Sequence, residues 1–575
     1  MPDSALHSNR PRSLRRYGVL ALPVIAGLLL GLSFPPFDFP LLPWVALVPV
    51  GVAWLVRVQQ RGSVWAAFAG GALFHLIGLD WIRHCYAGDA MFGPYAGLLL
   101  LVALVGGGWF AAAFWWGRRL SHRLHIPMGL LLPIVWAMYE ISREVLHLAV
   151  DGSCGGWLNL SLTQVGRGNF AQVVDIGGQH TLTLLIAMVN GAIVDVGTLL
   201  FRSVHRLPTS HLQSRQAAVV LSLVILGCAL GYGSWRSRQH VEHPGPTIAL
   251  MPKIDLPPVH ADSLGRWGFA EQPQLLVWPE LAYHHRLVQL PYGHGFRAAD
   301  GRSELRNPTH EHPLPADTTA LAFGRSREEY ASAVMQYLQE ASHQGGAALL
   351  MGCQRLQPGD TQLTRHNSLV FVDNATGGGG VYDKVRLAPW REVTPHGPPA
   401  DINLQPDQYL PGQHAAVFEL SGERGHSYTF GCALCYDVCF AGHFQCVNRE
   451  AGGRPDFYVH CGSEGQDGGW ALSQTMLRMA QLRAIENRRA IVRNAENGYS
   501  GIINGNGRYV HRIGPAELES PTELRPIPVE DRFSLYASTG EWLPALICLS
   551  AIFLQLRAAA TPTTFRRRRH PEHVS

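Results

Sequence analysis

The chain has 575 residues, room for several domains, and is 47% hydrophobic but only 16% charged, well below the ~25% charged content of a typical soluble protein. Its net charge is +4, with basic residues gathered in short flanks of apolar runs, which argues against a nucleic-acid-binding stripe. Ten cysteines are scattered, some within apolar segments (Cys228, Cys548), so they do not form a secreted disulfide framework.

Apolar runs of membrane-spanning length fall at about 17–33, 41–56, 63–83, 93–116, 127–147, 179–201, 217–234 and 541–558. The first lacks a small-residue cleavage site and runs into Phe34-Pro35-Pro36-Phe37, so it reads as a retained helix rather than a signal peptide. Lys and Arg accumulate on the cytoplasmic side of membrane proteins. Here they sit at Arg10, Arg12, Arg15 and Arg16, at Arg57 and Arg61, at Arg118, Arg119 and Arg123, at Arg202, Arg206 and Arg215, and at Arg566 to Arg569. The alternate loops, 34–40 and 84–92, contain neither residue. Eight spans with both ends cytoplasmic fit this pattern. They divide the chain into a membrane domain at 1–234, a soluble block at 235–540 outside the cytoplasm, and a last span with a basic tail at 541–575.

Charges within spans usually mark a transport path or relay. Asp80, Glu140, Arg143 and Asp175 all lie toward the extracytoplasmic ends of their spans. The expectation is that they shape the face meeting the soluble block.

From about 245 short apolar strands are predicted at 247–250, 275–277, 347–351, 368–372, 416–420 and 490–492. Helical patterns fall at about 326–343 and 471–489, the latter with Leu472, Met476, Met479, Leu482 and Ile485 on one stripe. Strands alternating with helices indicate an α/β layered domain. The segment 291–318, rich in Pro, Gly, His and charge, reads as a surface insertion.

Three polar sites stand at predicted strand ends or edges. In Trp278-Pro-Glu280 the strand delivers a carboxylate and Pro279 stops the ladder; alone, a Glu there is usually just solvated. In Tyr382-Asp-Lys384 the ammonium could stabilise an oxyanion, or simply pair with Asp383 at the surface. In Cys435-Tyr-Asp437 the thiol becomes a strong nucleophile once a base or cation favours its thiolate, although most free cysteines are buried and structural. Cys432, Cys435, Cys439 and Cys446 are close together, but only the first pair has ligand-like spacing. No metal or cofactor is expected.

These three sites, in this order and on this strand rhythm, resemble the nitrilase superfamily. Its members carry a Glu-Lys-Cys triad on a four-layer αββα sandwich. Arg478-Met-Ala-Gln-Leu-Arg-Ala-Ile-Glu486 resembles the helix after the nucleophile, and Asn494-Ala-Glu-Asn-Gly498 the strand turn that follows. The membrane half is similar to the apolipoprotein N-acyltransferases within that superfamily. The matching segments are Leu32-Ser-Phe-Pro-Pro-Phe-Asp38, Trp44-Val-Ala-Leu-Val-Pro49, Gly78-Leu-Asp-Trp-Ile82, Trp157-Leu-Asn-Leu160 and Asp175-Ile-Gly-Gly178.

The resemblance implies a polytopic α-helical membrane bundle carrying a periplasmic nitrilase-like domain at a bacterial inner membrane. It implies transfer of an acyl chain from a phospholipid, through a thioester on Cys435, to the N-terminal amine of a diacylated apolipoprotein. Glu280 would be the general base and Lys384 the oxyanion stabiliser. Glu392 would help hold the site, and Tyr436 and Asp437 would line it. The chain departs from the family pattern at Asp437, where Glu is usual, and at Arg386 and Arg391; Gly462-Ser-Glu-Gly-Gln-Asp467 also replaces a characteristic loop. Two alternatives stay open: a membrane-tethered amidase using water as acceptor, and a non-catalytic lipoprotein-binding scaffold.

Overall fold

A backbone removed from water must satisfy its N–H and C=O groups within its own segment, and the apolar runs accordingly fold as helices. In the computed structural model these occupy Arg12–Gly31, Gln60–Gly78, Phe92–Leu124, Met128–Val150, Gln179–Leu200, Thr209–Ser237 and Trp542–Ala560. The structure describes residues 12–56, 60–83, 92–150, 152–201, 209–239, 242–252, 272–280, 283–289, 296–298, 338–339, 342–343, 345–358, 363–389, 392–393, 409–422, 426–464, 469–515, 517–518 and 520–561.

Among the described residues four helices are long and apolar enough to cross a membrane: Ala96–Leu124, Gln179–Leu200, His211–Ser237 and Trp542–Ala560. Met128–Val150 is long enough but carries Glu140, Arg143 and Glu144. The expected second span forms a short turn, Leu42–Trp44, and an eight-residue helix, Val48–Leu55. That helix is only about 12 Å long against a hydrocarbon core of about 30 Å. Asn190 repairs the break, donating from Nδ2 to the Pro43 carbonyl at 2.9 Å and accepting from the Leu47 N–H at 2.8 Å. Irregular backbone is tolerated at such depth when protein satisfies it. Close helix packing relies on glycine: a Cβ on Gly27 would lie 1.9 Å from the Gly70 carbonyl oxygen. Small residues let helices approach where lipid provides no hydrophobic drive between them.

The soluble half builds two sheets. Among the described residues, one path of the first sheet runs Thr522–Glu523, Ile248–Leu250, Leu275–Val277, Ala348–Pro358, Tyr283–Gln289 and Phe296–Ala298. Leu363–Val372 and Gly379–Asp383 extend it from the other edge of Ala348–Pro358. The second sheet runs Tyr509–Ile513, Ser500–Ile503, Ala490–Glu496, Phe457–Ser463, Ser427–Leu434 and Val417–Ser421. Ile248, Val277 and Phe371 of the first share one core with Phe430, Val459 and Val492 of the second. Leu338 packs on the outer face of the first sheet with Leu276, Leu349 and Met351. Helices Ala441–Glu450 and Gly469–Asn487 cover the outer face of the second, through Phe444, Met476 and Ile485. Among the described residues, two sheets share one core and helices cover the outer face of the second.

The predicted strands all appear, several of them longer. Gly379–Asp383, Ser427–Leu434, Phe457–Ser463, Ser500–Ile503 and Tyr509–Ile513 are strands that patterning did not single out. The 469–487 helix corrects the expectation of a single buried stripe. It is buried around almost its whole circumference, with Arg478, Arg483 and Glu486 no more than 2% exposed. The hydrophobic cluster it joins continues into Val165 and Val173 of the membrane half, so both of its faces are covered. It also stops at Asn487, two residues early, because Arg488 adopts a left-handed φ of 49°. The insertion at 291–318, apart from strand Phe296–Ala298, and most of the predicted 326–343 helix lie outside the described residues.

The buried charges act on the face that meets the soluble half in two ways, directly and through a loop. Asp175 meets the soluble half as expected, accepting from Arg488 Nε at 2.8 Å. Glu140 and Arg143 work inside the membrane half. Glu140 accepts from the Leu160 N–H at 2.8 Å and the Thr183 hydroxyl at 2.7 Å. Arg143 donates to the Gly155 carbonyl at 2.8 Å and to Asn159 at 2.7 Å. Together they fix the loop at 154–163.

Candidate active site

Two strands of the first sheet and one of the second each deliver one polar residue to the same point. Glu280 lies just beyond Leu275–Val277, Lys384 follows Gly379–Asp383, and Cys435 follows Ser427–Leu434. Ligands and reactive groups collect at strand ends of α/β sheets because the ladder stops there and side chains converge. The Lys384 ammonium is 3.1 Å from Glu280 Oε1 and 2.7 Å from Glu392 Oε2. Asn367 Nδ2 donates to both glutamates at 2.7 Å. The Ser463 N–H holds Glu280 Oε2 and the Ala388 N–H holds Glu392 Oε2, each at 2.7 Å. Glu280, Lys384 and Glu392 are all buried.

Cys435 is half-buried at the start of a tight turn, Cys435–Cys439. Its φ of 49° is a left-handed conformation costing about 1–2 kcal/mol for a non-glycine residue, and such strain persists only where the surroundings impose it. The thiol donates to the Ser463 carbonyl oxygen at 3.8 Å and lies within the electrostatic reach of Glu280. Burial, then the Glu280 charge, push the thiol up to about 12, with Lys384 opposing. The resting sulfur therefore keeps its proton, within reach of a carboxylate that can take it. Burial works against the charge of Lys384, but Cys435 once ionised, Glu280 and Glu392 outweigh it and hold the ammonium well above the usual lysine range. A permanently charged Lys beside the sulfur can stabilise an oxyanion.

Each half of the molecule grips the turn. Asp437 is fully buried, accepting from the Leu434 N–H at 2.9 Å, the Tyr382 hydroxyl at 2.6 Å and the Arg386 N–H at 2.8 Å. Tyr436 points the other way. Its hydroxyl accepts from the Cys154 N–H at 2.6 Å, and its ring stacks on Trp157 with centroids 5.9 Å apart. The loop fixed by Glu140 and Arg143 thus rests directly on the turn Cys435–Cys439.

Residues 26–192 match the apolipoprotein N-acyltransferase N-terminal domain, and residues 269–519 match the carbon-nitrogen hydrolase family. The chain is 25% identical to an apolipoprotein N-acyltransferase of Rhodopirellula baltica, over 90% of this chain and 93% of that one. It is 23% identical to one of Haemophilus ducreyi, over 94% and 95%. The chain is a relative of the apolipoprotein N-acyltransferases. A solved structure from Saccharomyces cerevisiae, a member of branch 10 of the nitrilase superfamily, is 14% identical, covers 57% of this chain and 99% of that one, and has a TM-score of 0.33.

Against the apolipoprotein N-acyltransferase pattern, Asp437 in place of Glu still reaches three protein donors. Both its oxygens brace the turn. The Arg386 guanidinium lies over the Phe440 ring at 5.0 Å, while Arg391 lies outside the described residues. Sequence reasoning missed Asn367, which bridges the two glutamates. It sits mid-strand in Leu363–Val372 with no local motif to mark it. His460 was missed for the same reason. Its Nδ1 accepts from Arg493 at 2.7 Å, so its Nε2 carries the proton and donates to the Cys435 carbonyl at 3.0 Å. Burial and Arg493 hold this histidine well below the ordinary range, so it is a neutral clamp on the Cys435 backbone.

Proposed function

We propose that this chain transfers a fatty acyl group from a membrane phospholipid to the N-terminal diacylglyceryl-cysteine amine of apolipoproteins, maturing them through a thioester on Cys435. The observation that carries the reading is the convergence of a protonated thiol, an adjoining carboxylate and a charged lysine, on a turn that the membrane half holds through Cys154. Glu280 takes the Cys435 proton as sulfur attacks the ester carbonyl, and Lys384 stabilises the oxyanion. The carbon–oxygen bond breaks and the departing lysophospholipid takes that proton. The lipoprotein amine then attacks the thioester, giving up a proton to Glu280. The carbon–sulfur bond breaks and the proton returns to sulfur. Glu392 positions Lys384, while Tyr436 and Asp437 hold the turn.

Both substrates are lipid-anchored, so a site at the membrane face replaces diffusion with orientation. Eight passes, with the second made of turn and short helix, put the catalytic domain on the periplasmic side of a bacterial inner membrane. The arginine distribution supports this orientation. The test uses the full chain in detergent with a phospholipid and a synthetic diacylated lipopeptide, followed by mass spectrometry of the lipopeptide. The expected result is a gain of one acyl chain on the α-amine, absent with Cys435→Ala. Release of free fatty acid with the lipopeptide unchanged would replace transfer by hydrolysis.

A further inference from the structure

Away from the thioester site, where the two halves meet, lies a cavity of about 260 Å³ lined by Arg167, Arg478, Arg508 and Arg512 together with Gln474 and Tyr509. Arg167 belongs to the membrane half, Arg478 to the helix Gly469–Asn487, and Arg508 and Arg512 to the hairpin of Ser500–Ile503 and Tyr509–Ile513. Among the described residues no carboxylate lines it. Asp38, just outside, accepts from Arg167 and from Arg478 Nη2, which leaves the cluster with more guanidinium than carboxylate. Arg478 is 2% exposed, yet its Nη1 has no hydrogen-bond partner, and neither has the buried Tyr509 hydroxyl. Leaving a buried donor unmet costs about 1–3 kcal/mol. These groups are arranged for an acceptor from outside the chain, and planar guanidinium groups suit phosphate oxygens.

The surroundings name the source of that phosphate. Phe37, Phe39 and Leu41 flank Asp38 and are 52%, 52% and 77% exposed. Arg508 donates to Asn169 at 3.2 Å, and Asn169 in turn donates to Ser234 at 3.2 Å, at the end of the apolar helix Thr209–Ser237. The cavity therefore sits level with the ends of the spans, where the polar headgroup layer begins. We propose that it binds the phosphate group of a membrane glycerophospholipid, with Phe37, Phe39 and Leu41 lying in the adjoining apolar layer.

This is not the lipid that Cys435 attacks. Strand Tyr509–Ile513 is four places from Ser427–Leu434 in the sheet, about 19 Å at about 4.8 Å per strand. That is farther than the few bonds between ester and phosphate in one phospholipid. A lipid held here would anchor the catalytic domain against the bilayer.

The test is arginine footprinting of the full chain in detergent with phenylglyoxal, read by peptide mass spectrometry at Arg508 and Arg512, with exposed Arg449 as the internal reference. Dihexanoylphosphatidylglycerol and inorganic phosphate are titrated separately. At about four times its dissociation constant the lipid should slow modification of both arginines about fivefold, saturably and without effect on Arg449, while phosphate protects only at higher concentration. Equal protection by phosphate would overturn the lipid assignment in favour of a free anion. Unchanged rates with both probes, or loss of reactivity shared by Arg449, would overturn the site itself.

Discussion

Two buried ionic clusters near the join between the halves differ in their balance of charge. Around Cys435, two carboxylates, Glu280 and Glu392, face one ammonium, Lys384. At the joint, one carboxylate, Asp175, faces Arg236 and Arg488. Asp175 and Arg488 are fully engaged there. Asp175 Oδ1 accepts from the Tyr232 hydroxyl at 2.8 Å, and the spare N–H groups of Arg488 go to Gln172 and the Gly505 carbonyl. The cluster around Cys435 instead keeps an excess of base beside a thiol that burial leaves protonated. A saturated cluster fastens two domains, whereas one with a carboxylate to spare can move a proton.

The contrast can be broken from either side, and the largest effect is expected at the sulfur. Cys435→Ala should lower acyl transfer by about 10⁴-fold or more with an unchanged melting temperature; surviving transfer would remove this cluster from the chemistry. Next comes Asp175→Asn, which leaves two buried guanidinium groups uncompensated and should remove about 3–5 kcal/mol of stability, read as a lower melting temperature in detergent. Turnover per folded molecule should keep its wild-type value. Lost turnover at intact stability would mean that the joint takes part in catalysis.

Lys384→Met should lower kcat by about 10²–10³ with little change in KM, since an oxyanion exists only in the transition state. A change confined to KM would assign the lysine to binding. The smallest effect concerns Glu486, whose carboxyl burial raises to about 7 against the pull of Arg483, with Glu541 adding to the rise. The fold favours its neutral form, so that contribution to stability is full below the unfolded pKa of 4.5 and is lost as pH rises through about 7. The wild-type melting temperature should fall relative to Glu486→Gln between about pH 5 and pH 7. Parallel curves would contradict the shift.

Much of this was legible in the sequence where a strand ended on a distinctive residue. Trp278-Pro-Glu280 closes a strand that patterning predicted, Tyr382-Asp-Lys384 and Cys435-Tyr-Asp437 follow strands it did not single out, and the structure brings the three motifs together. Asn367 and His460 were not legible, because a polar residue inside a strand carries no local signal of what the neighbouring chain will offer it. The 469–487 helix was misread as one-sided, since a stripe of Leu, Met and Ile reports the sheet it covers. The second covering layer comes from the membrane half, more than 200 residues away in sequence. The 41–56 run looked like a continuous span; its break at Pro43 is repaired by Asn190 from a distant helix, which no local pattern could reveal.

The most direct measurement is intact and peptide mass spectrometry of the full chain after incubation with phospholipid in the absence of acceptor. The predicted result is one fatty acyl chain on the peptide containing Cys435, released by hydroxylamine, discharged by a diacylated lipopeptide and missing in Glu280→Gln. A folded protein that carries no adduct on Cys435, yet still acylates the lipopeptide, would contradict the thioester route.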